Sequence, residues 1–221
     1  MSSGYDVDEV LPAGMLSELR PGTSLLIEGP SMIGKRRLAI RLLAAGHREG
    51  DGILCVTTSN NAEKLLSEFE AEIPTLDRGR VGIVDCSGSD SQRTIEDIAM
   101  ERVSSPGDLT GISIGTAKLL QSFAKQDVSG VRHGLVSVST LIQYLDIGTV
   151  FKFLHIYTSR IADTDGLGVF TLDNSTHDQQ SINTLTSEFD CVLEMREGDD
   201  GDREVRMKGL ESVPREWHAY D

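Results

Sequence analysis

The sequence predicts an α/β fold in which a mostly parallel sheet lies between two layers of helices. The first observation is a regular alternation between short apolar runs, typical of buried strands, and longer segments with helical periodicity. The second is a glycine-rich turn that joins the apolar run at residues 24–28 directly to a helical pattern at residues 37–45. The third is a turn-separated pair of strands near the C-terminus, which predicts an antiparallel hairpin.

The length of 221 residues favours one large domain with a substantial core. We divide this domain, residues 1–221, into an N-terminal arm (1–23), a central α/β region, a terminal strand and hairpin (189–208) and a tail (209–221). No apolar run approaches the roughly 18 residues of a membrane span. The first residues have neither the basic region nor the apolar region of a signal peptide, and we therefore expect a cytoplasmic protein.

The charge and the cysteines restrict the function further. Thirty-five acidic residues against 21 basic ones give a net charge of −14, which disfavours nucleic acid as a partner. Such an acidic, lysine-poor composition also resembles that of proteins from salt-loving cells. The three cysteines (55, 86 and 191) have no C-x-x-C spacing, so we expect buried free thiols in a reducing compartment rather than disulfides or a zinc site.

The elements of the first half follow from turn and capping signals. Turn residues at 11–14 and 20–22 bound a predicted single helical turn at 15–19. A second buried strand is predicted at 53–57, and Asn60 or Asn61 is expected to cap a helix that runs to about Glu70. The remaining predictions for this half are a third strand at 81–86 and a loop at 87–110 that contains a short helical candidate at 94–101.

The second half continues the alternation of helices and strands. Its predicted helices are at residues 110–124, 149–160 and 181–187. Its predicted strands are at residues 134–138, 166–172, 189–195 and 203–207, the last two forming the hairpin around the turn at 198–201. Trp217 is expected to dock the C-terminal tail onto the core.

A phosphate-binding motif organises the chain. The eight residues after the first strand match seven of the eight positions of the P-loop pattern G-x-x-x-x-G-K-[ST]; they are Gly29, Pro30, Ser31, Met32, Ile33, Gly34, Lys35 and Arg36. In this motif the backbone N–H groups of the turn and of the following helix surround phosphate oxygens, and the lysine contacts the β- and γ-phosphates. Arg36 stands where the pattern has a hydroxyl that holds Mg²⁺.

The order of elements and several local stretches resemble the RecA/KaiC superfamily over roughly residues 10–210. The matching stretches are residues 29–35, 132–142, 151–155 and 165–173. The sequence is most similar to the single-domain KaiC-like proteins of haloarchaea. The resemblance implies a three-layer, RecA-like P-loop NTPase fold, binding of a nucleotide such as ATP, and association with protein partners or with further copies of the chain.

Three catalytic positions depart from the pattern that this resemblance implies. The metal-binding aspartate of the fourth strand falls on Val136 or, with a shift of one residue, on Ser137. The catalytic glutamates that follow the second strand fall within residues 57–60, which read Thr-Thr-Ser-Asn. Together with Arg36, these departures predict a nucleotide-binding pseudo-ATPase with a regulatory or signalling role, in which Mg²⁺ is not an expected cofactor and no catalytic residue is assigned.

Several alternatives remain open at this point. The Arg36 guanidinium either pairs directly with phosphate oxygens in place of a metal ion or points to solvent. Asp85 and Asp173 end two predicted strands and are candidate substitute carboxylates, although aspartate at such positions commonly caps a turn. If one of them holds Mg²⁺, the protein is an active ATPase. A DNA recombination accessory protein is a third class, which the net charge disfavours.

Overall fold

The elements of the computed structural model are given for the residues that the structure describes, which are 4–88, 95–126, 128, 130–211 and 213–220. The strands are β1 (Tyr5–Asp6), β2 (Glu18–Leu19), β3 (Ser24–Gly29), β4 (Gly52–Thr57), β5 (Val81–Asp85), β6 (Ala99–Arg102), β7 (Val131–Val136), β8 (Leu167–Asp173), β9 (Cys191–Glu197), β10 (Arg203–Lys208) and β11 (His218–Ala219). The helices are α1 (Lys35–Ala44), α2 (Ala62–Glu72), α3 (Leu109–Phe123), α4 (Val138–Tyr144), α5 (Ile147–Asp163) and α6 (Gln179–Thr186).

The described strands form a nine-stranded sheet in the order β11-β10-β9-β3-β8-β7-β4-β5-β6, beside a small ribbon of β1 and β2. The strands from β9 to β6 in this order are parallel, and β10 and β11 run antiparallel to their neighbours. The strand β3 is central and fully buried, since both of its faces are covered. This arrangement confirms the predicted α/β class, the mostly parallel sheet and the C-terminal hairpin.

Helices cover both faces of the sheet and make three layers. The α1 and α2 helices pack with the N-terminal arm on the face that carries Leu25, Ile27 and Ile53. The α3, α4, α5 and α6 helices pack on the opposite face, against Leu26 and Phe170. All three cysteines are free and buried, as predicted. Within the described ranges, no helix has both the length and the apolar character required to cross a membrane.

Side-chain caps explain where several helices begin. Asn61 accepts a hydrogen bond from the Lys64 N–H at 3.0 Å at the start of α2, so the second of the two predicted capping residues is the one that is used. Asp146 caps α5 in the same way, accepting a hydrogen bond from the Thr149 N–H at 2.9 Å. The cap of α2 was predicted, whereas that of α5 was not, and α5 begins at Ile147 rather than at residue 149.

Two predicted helical segments are wrong. Of the short helix predicted at 94–101, residue 94 lies outside the described residues, and the remainder contains a turn followed by β6, which extends the sheet beside β5. Asp97 has a φ of 64°, a left-handed conformation that interrupts a right-handed helix. The helical turn predicted at 15–19 is also incorrect, because Glu18–Leu19 pairs with Tyr5–Asp6 and buries Tyr5 and Leu19.

The C-terminal tail docks on the hairpin. Its short strand β11 pairs with β10, and the Trp217 ring lies against two guanidinium groups, with the Cζ atom of Arg196 at 4.0 Å and that of Arg206 at 4.4 Å from the ring centroid. Trp217 therefore holds the tail as predicted, but through cation–π contacts on the hairpin surface rather than by insertion into the core.

Candidate functional site

The loop after β3 joins that strand directly to α1, the order of elements in which a P-loop occurs. It turns sharply through two left-handed residues, Met32 with a φ of 64° and Gly34 with a φ of 107°. Gly34 is the N-cap residue of α1. It has no side chain to accept hydrogen bonds from the first N–H groups of the helix, which therefore remain open towards the loop. Gly29 is also required by packing, because a Cβ atom there would lie 2.6 Å from the carbonyl oxygen of Met195.

Lys35 folds back over the loop. Its Nζ donates hydrogen bonds to the carbonyl oxygen of Gly29 at 2.8 Å and to that of Pro30, and it lies 3.9 Å from Oδ2 of Asp173. Burial lowers the pKa of the Lys35 ammonium, and the charge of Asp173 opposes this shift. The lysine thus places a positive charge at the centre of the loop, where a phosphate group would lie.

Asp173 is the predicted alternative carboxylate that reaches the P-loop. It ends β8, the strand beside β3, and its carboxylate accepts hydrogen bonds from the Ser31 hydroxyl and from the Ser175 hydroxyl and N–H. Burial acts to raise the pKa of Asp173, but these hydrogen bonds and the nearby Lys35 hold it below its ordinary value. Asp173 is therefore ionised at neutral pH and forms one wall of the site.

Asp85, the other candidate carboxylate, lies elsewhere. Three strands separate β5 from β3 in the sheet, a distance of about 19 Å at the usual strand spacing. The Asp85 carboxylate is buried and accepts hydrogen bonds from the N–H groups of Ala62 and Ser87, both at 2.9 Å. Asp85 therefore caps the start of α2. Of the two alternatives for this residue, it has the role of a capping aspartate and not that of a substitute carboxylate.

Arg36 adopts neither of the two directions considered for it. Its Nε lies 3.0 Å from Oε1 of Glu68 on α2, and its Nη2 lies 2.7 Å from Oε2 of the same residue. Both side chains are only 27% exposed, so this is a partly buried, bidentate ion pair. The position where the P-loop pattern has a metal-binding hydroxyl is thus occupied by a guanidinium that is paired with a glutamate of α2.

The neighbouring strand ends supply hydroxyl groups to the same pocket. The pocket has a volume of about 430 Å³, and its charged lining residues are Lys35, Arg36 and Asp173. The hydroxyl side chains that line it are Ser59, Ser137, Ser139, Thr140, Thr171 and Thr176, besides Ser31 of the loop itself. Val136 and Ser137, the two positions on which the resemblance places the metal-binding aspartate, both line this pocket.

Sequence reasoning missed the contribution of α4. This helix directly follows β7 and places Ser139, Thr140 and Gln143 in the pocket, and the Ser139 hydroxyl accepts a hydrogen bond from the Asp173 N–H at 2.8 Å. The signal was Ser137, a residue type that favours the N-cap position, immediately before a short helical pattern. Across the ranges that the structure describes, no three His, Cys, Asp or Glu side chains are grouped to hold a metal ion.

The strand that carries the loop also contains a buried acid, Glu28, next to Glu194 of β9. Burial, and then the charge of Glu194, raise the pKa of Glu28, so its ionisation costs more in the folded state than in the unfolded chain. We expect Glu28→Gln to raise the free energy of unfolding at pH 7. The gain should shrink as the pH falls towards 4, where Glu28 is protonated in the wild type as well.

Urea unfolding of the wild type and of Glu28→Gln at a series of pH values measures this difference. Glu197→Gln, which changes an exposed acid on the same strand as Glu194, serves as the matched control. Equal stability of the wild type and Glu28→Gln at pH 7 would contradict the expectation.

The chain is similar to one sequence family and to a solved structure. The sequence matches one protein family over residues 22–195, described as a family of unknown function (DUF7504), and no curated protein gives a significant match. The structure is similar to the crystal structure of the KaiC-like protein PH0186 from the hyperthermophilic archaeon Pyrococcus horikoshii OT3, with a TM-score of 0.66 and 14% sequence identity. The alignment covers 100% of this chain and 94% of that one, which confirms the predicted RecA/KaiC-like fold.

Proposed function

The chain belongs to DUF7504, a family of unknown function, and we propose that it is a nucleotide-binding regulatory or signalling protein with impaired or absent ATP hydrolysis. The observation that carries the proposal is the contrast between the two sides of one loop. The phosphate-binding side, with Lys35 and the open N-terminus of α1, has the form of a P-loop. On the metal-binding side, the hydroxyl of the pattern is absent, and Arg36 forms an ion pair with Glu68 in its place.

The phosphate-binding side fits a polyphosphate. Within the described residues, the N–H groups of Gly34, Lys35 and Arg36 form no hydrogen bond to the protein, so they are available to an anion. The Lys35 ammonium is held by carbonyl oxygens that phosphate oxygens would replace as stronger, charged partners. The surrounding hydroxyl groups add further donors, and ATP supplies a chain of phosphates for such a site.

The hydrolytic side lacks the groups that activate water and hold a metal ion. P-loop NTPases hold Mg²⁺ through the loop hydroxyl and a strand-end aspartate, and they orient the attacking water with a further polar or acidic residue. Here these places carry Arg36, Val136 or Ser137, and the residues around Ser59. We infer that the bound nucleotide is a regulatory ligand that is not hydrolysed efficiently. Its binding would change how the chain interacts with protein partners or with further copies of itself.

A second function has one observation in its favour. Asp173 is ionised and lines the pocket beside Ser31 and Lys35, so a carboxylate and a hydroxyl are present together, although on different elements from those of the P-loop pattern. If Asp173 holds Mg²⁺, the protein is a Mg²⁺-dependent ATPase with a relocated metal ligand. A role in DNA recombination has no comparable support, because the net charge of −14 opposes binding to a polyanion.

Calorimetric titration with ATP in Mg²⁺ and in EDTA tests the proposal. We expect the wild type to bind ATP with similar affinity in both conditions, because no metal-binding hydroxyl follows Lys35. In Arg36→Ser, which restores the P-loop pattern, binding should become stronger in Mg²⁺ than in EDTA. The control is Arg37→Ser, which removes the same charge from the adjacent, exposed position on α1 and should behave as the wild type.

The other outcomes overturn the proposal. Binding that requires Mg²⁺, followed by ATP turnover that Asp173→Asn abolishes, would establish the relocated ATPase. Absence of ATP binding in both conditions would show that the loop has lost its ligand and serves only the architecture. Identical Mg²⁺ dependence of the wild type and Arg36→Ser would remove the role assigned to Arg36.

A further inference from the structure

A long groove runs between α3 and α5 on the face of the sheet opposite α1. Its main cavity has a volume of about 490 Å³ and is lined by every third or fourth residue of each helix, including Ile114 and Ala117 from α3 and Phe153 and Ile156 from α5. A second cavity of about 440 Å³ lies at the C-terminal end of α3, between Leu120 on that helix and Thr164, the residue that follows α5. Together the two cavities extend along α3 from Leu109 to Phe123, about 22 Å, which suits an elongated occupant rather than a compact small molecule.

Exposed apolar side chains are concentrated in and beside the groove. In the part of the chain that the structure describes, four large apolar side chains are exposed, and one of them is Met32 of the P-loop. Two of the others, Ile114 at 52% and Ile156 at 59% exposure, face each other across the groove. The third, Tyr144 at 57% exposure, lies beside Gly107 at the end of the groove where α3 begins. Such a concentration indicates an interaction surface rather than chance exposure.

The charges of the groove differ in sign from those of the protein as a whole. Its charged lining residues are Lys152 and Arg160, both on α5, in a chain with a net charge of −14. Lys152 is exposed and forms no ion pair with any described residue, whereas Arg160 donates a hydrogen bond to the carbonyl oxygen of Ser113 across the groove at 3.3 Å. An occupant that carries carboxylates along its margin would meet complementary charge here.

The same charges argue against a second copy of the chain. In a two-fold symmetric contact the groove would meet itself, so that Lys152 and Arg160 of one copy would approach the same cations of the other. No carboxylate lines the groove among the described residues to offset that repulsion. We propose that the α3–α5 groove binds an amphipathic helix of a partner protein, with the apolar face of that helix against Ile114, Phe153 and Ile156 and acidic residues beside Lys152.

A display library of helical peptides tests this inference. The peptides are about 18 residues long, with leucine at positions i, i+3, i+4 and i+7 and random residues elsewhere, and they are selected for binding to the full chain. We expect the selected helices to be enriched in Asp and Glu beside the leucines. Fluorescence anisotropy should then show about tenfold weaker binding to Lys152→Glu and to Ile156→Asp.

The matched control is Lys64→Glu, which makes the same change of charge on α2, on the opposite face of the sheet, and should leave peptide binding unchanged. Equal binding to Lys152→Glu and Lys64→Glu, selected helices without acidic enrichment, or selection of no helix at all would overturn the proposal. A dimer in sedimentation that dissociates in Ile156→Asp would assign the groove to a second copy instead. Because the groove lies apart from the P-loop, Lys35→Ala should bind the peptides as the wild type does, whatever the outcome for nucleotide binding.

Discussion

Replacement of Arg132 by alanine is expected to lower the free energy of unfolding by about 3–5 kcal/mol, the usual cost of removing one partner from a buried ion pair. Arg132 is fully buried on β7. Its Nε lies 2.9 Å from Oδ2 of Asp51, its Nη1 lies 2.8 Å from the carbonyl oxygen of Leu42, and its Nη2 lies 3.0 Å from that of Asp6. One guanidinium thus connects the sheet, the end of α1 and the N-terminal arm.

The residues around this guanidinium contact it and leave space for its ion pair. The Cζ atom of Arg132 lies 5.3 Å from the centroid of the Tyr5 ring, which adds a cation–π contact to the arm. Gly46 leaves the space that the pair requires, since a Cβ atom there would lie 1.9 Å from Oδ2 of Asp51. Loss of Arg132 should therefore also release the arm, with faster amide hydrogen exchange of residues 7–11.

Urea unfolding of Arg132→Ala, Arg132→Lys and Lys118→Ala measures the effect. Lysine cannot reproduce three hydrogen bonds from one planar group, so Arg132→Lys should recover only part of the loss. Lys118 forms an exposed ion pair with Glu101, with 58% of its side chain accessible, and its removal should cost less than about 1 kcal/mol. If Arg132→Ala is no more destabilised than Lys118→Ala, the role assigned to the buried pair is wrong.

The parts of the fold that could be predicted are those encoded locally. The central strands are continuous apolar runs because both of their faces are covered, and the residues Gly29 and Gly34 mark the P-loop without reference to the rest of the chain. The N-terminal ribbon could not be predicted, because Tyr5 and Leu19 form strands only through contacts with distant elements. The α4 helix was missed because the apolar pattern of β7 continues through Val138 and hides the change of period.

In the candidate site, too, the features formed by adjacent residues could be predicted and the long-range contacts could not. The sequence identified the loop, Lys35 and the absent hydroxyl, since these depend on adjacent residues. It could not show that Arg36 pairs with Glu68, 32 residues away, or that Ser31 bonds to Asp173, 142 residues away. Nor could it separate Asp173 from Asp85, since both end parallel strands at the same edge. The order of strands in the sheet decides which of them lies beside the loop.

The second large effect is expected in Lys35→Ala, which should weaken ATP binding in EDTA by at least about 100-fold, or about 2.8 kcal/mol at 1.4 kcal/mol for each factor of ten. The Lys35 side chain is only 11% exposed and sits at the centre of the loop, so its charge acts on phosphates with little screening by water. The Arg36 guanidinium is committed to Glu68 and does not replace it. Calorimetry on Lys35→Ala measures the loss, and Lys64→Ala, an exposed lysine of α2, is the control.

The neighbour of Lys35 should give the opposite result. The Asp173 carboxylate lies 3.9 Å from the Lys35 ammonium, so in the absence of a metal ion it repels the same phosphates that the lysine attracts. Asp173→Asn should therefore strengthen ATP binding in EDTA while Lys35→Ala weakens it. If Asp173→Asn instead weakens ATP binding, and only when Mg²⁺ is present, then Asp173 is a metal ligand, and ATP turnover that the same substitution abolishes would establish the ATPase. The sign of this one substitution thus decides whether Asp173 repels the phosphates or holds a metal ion, which is where the two proposed functions differ.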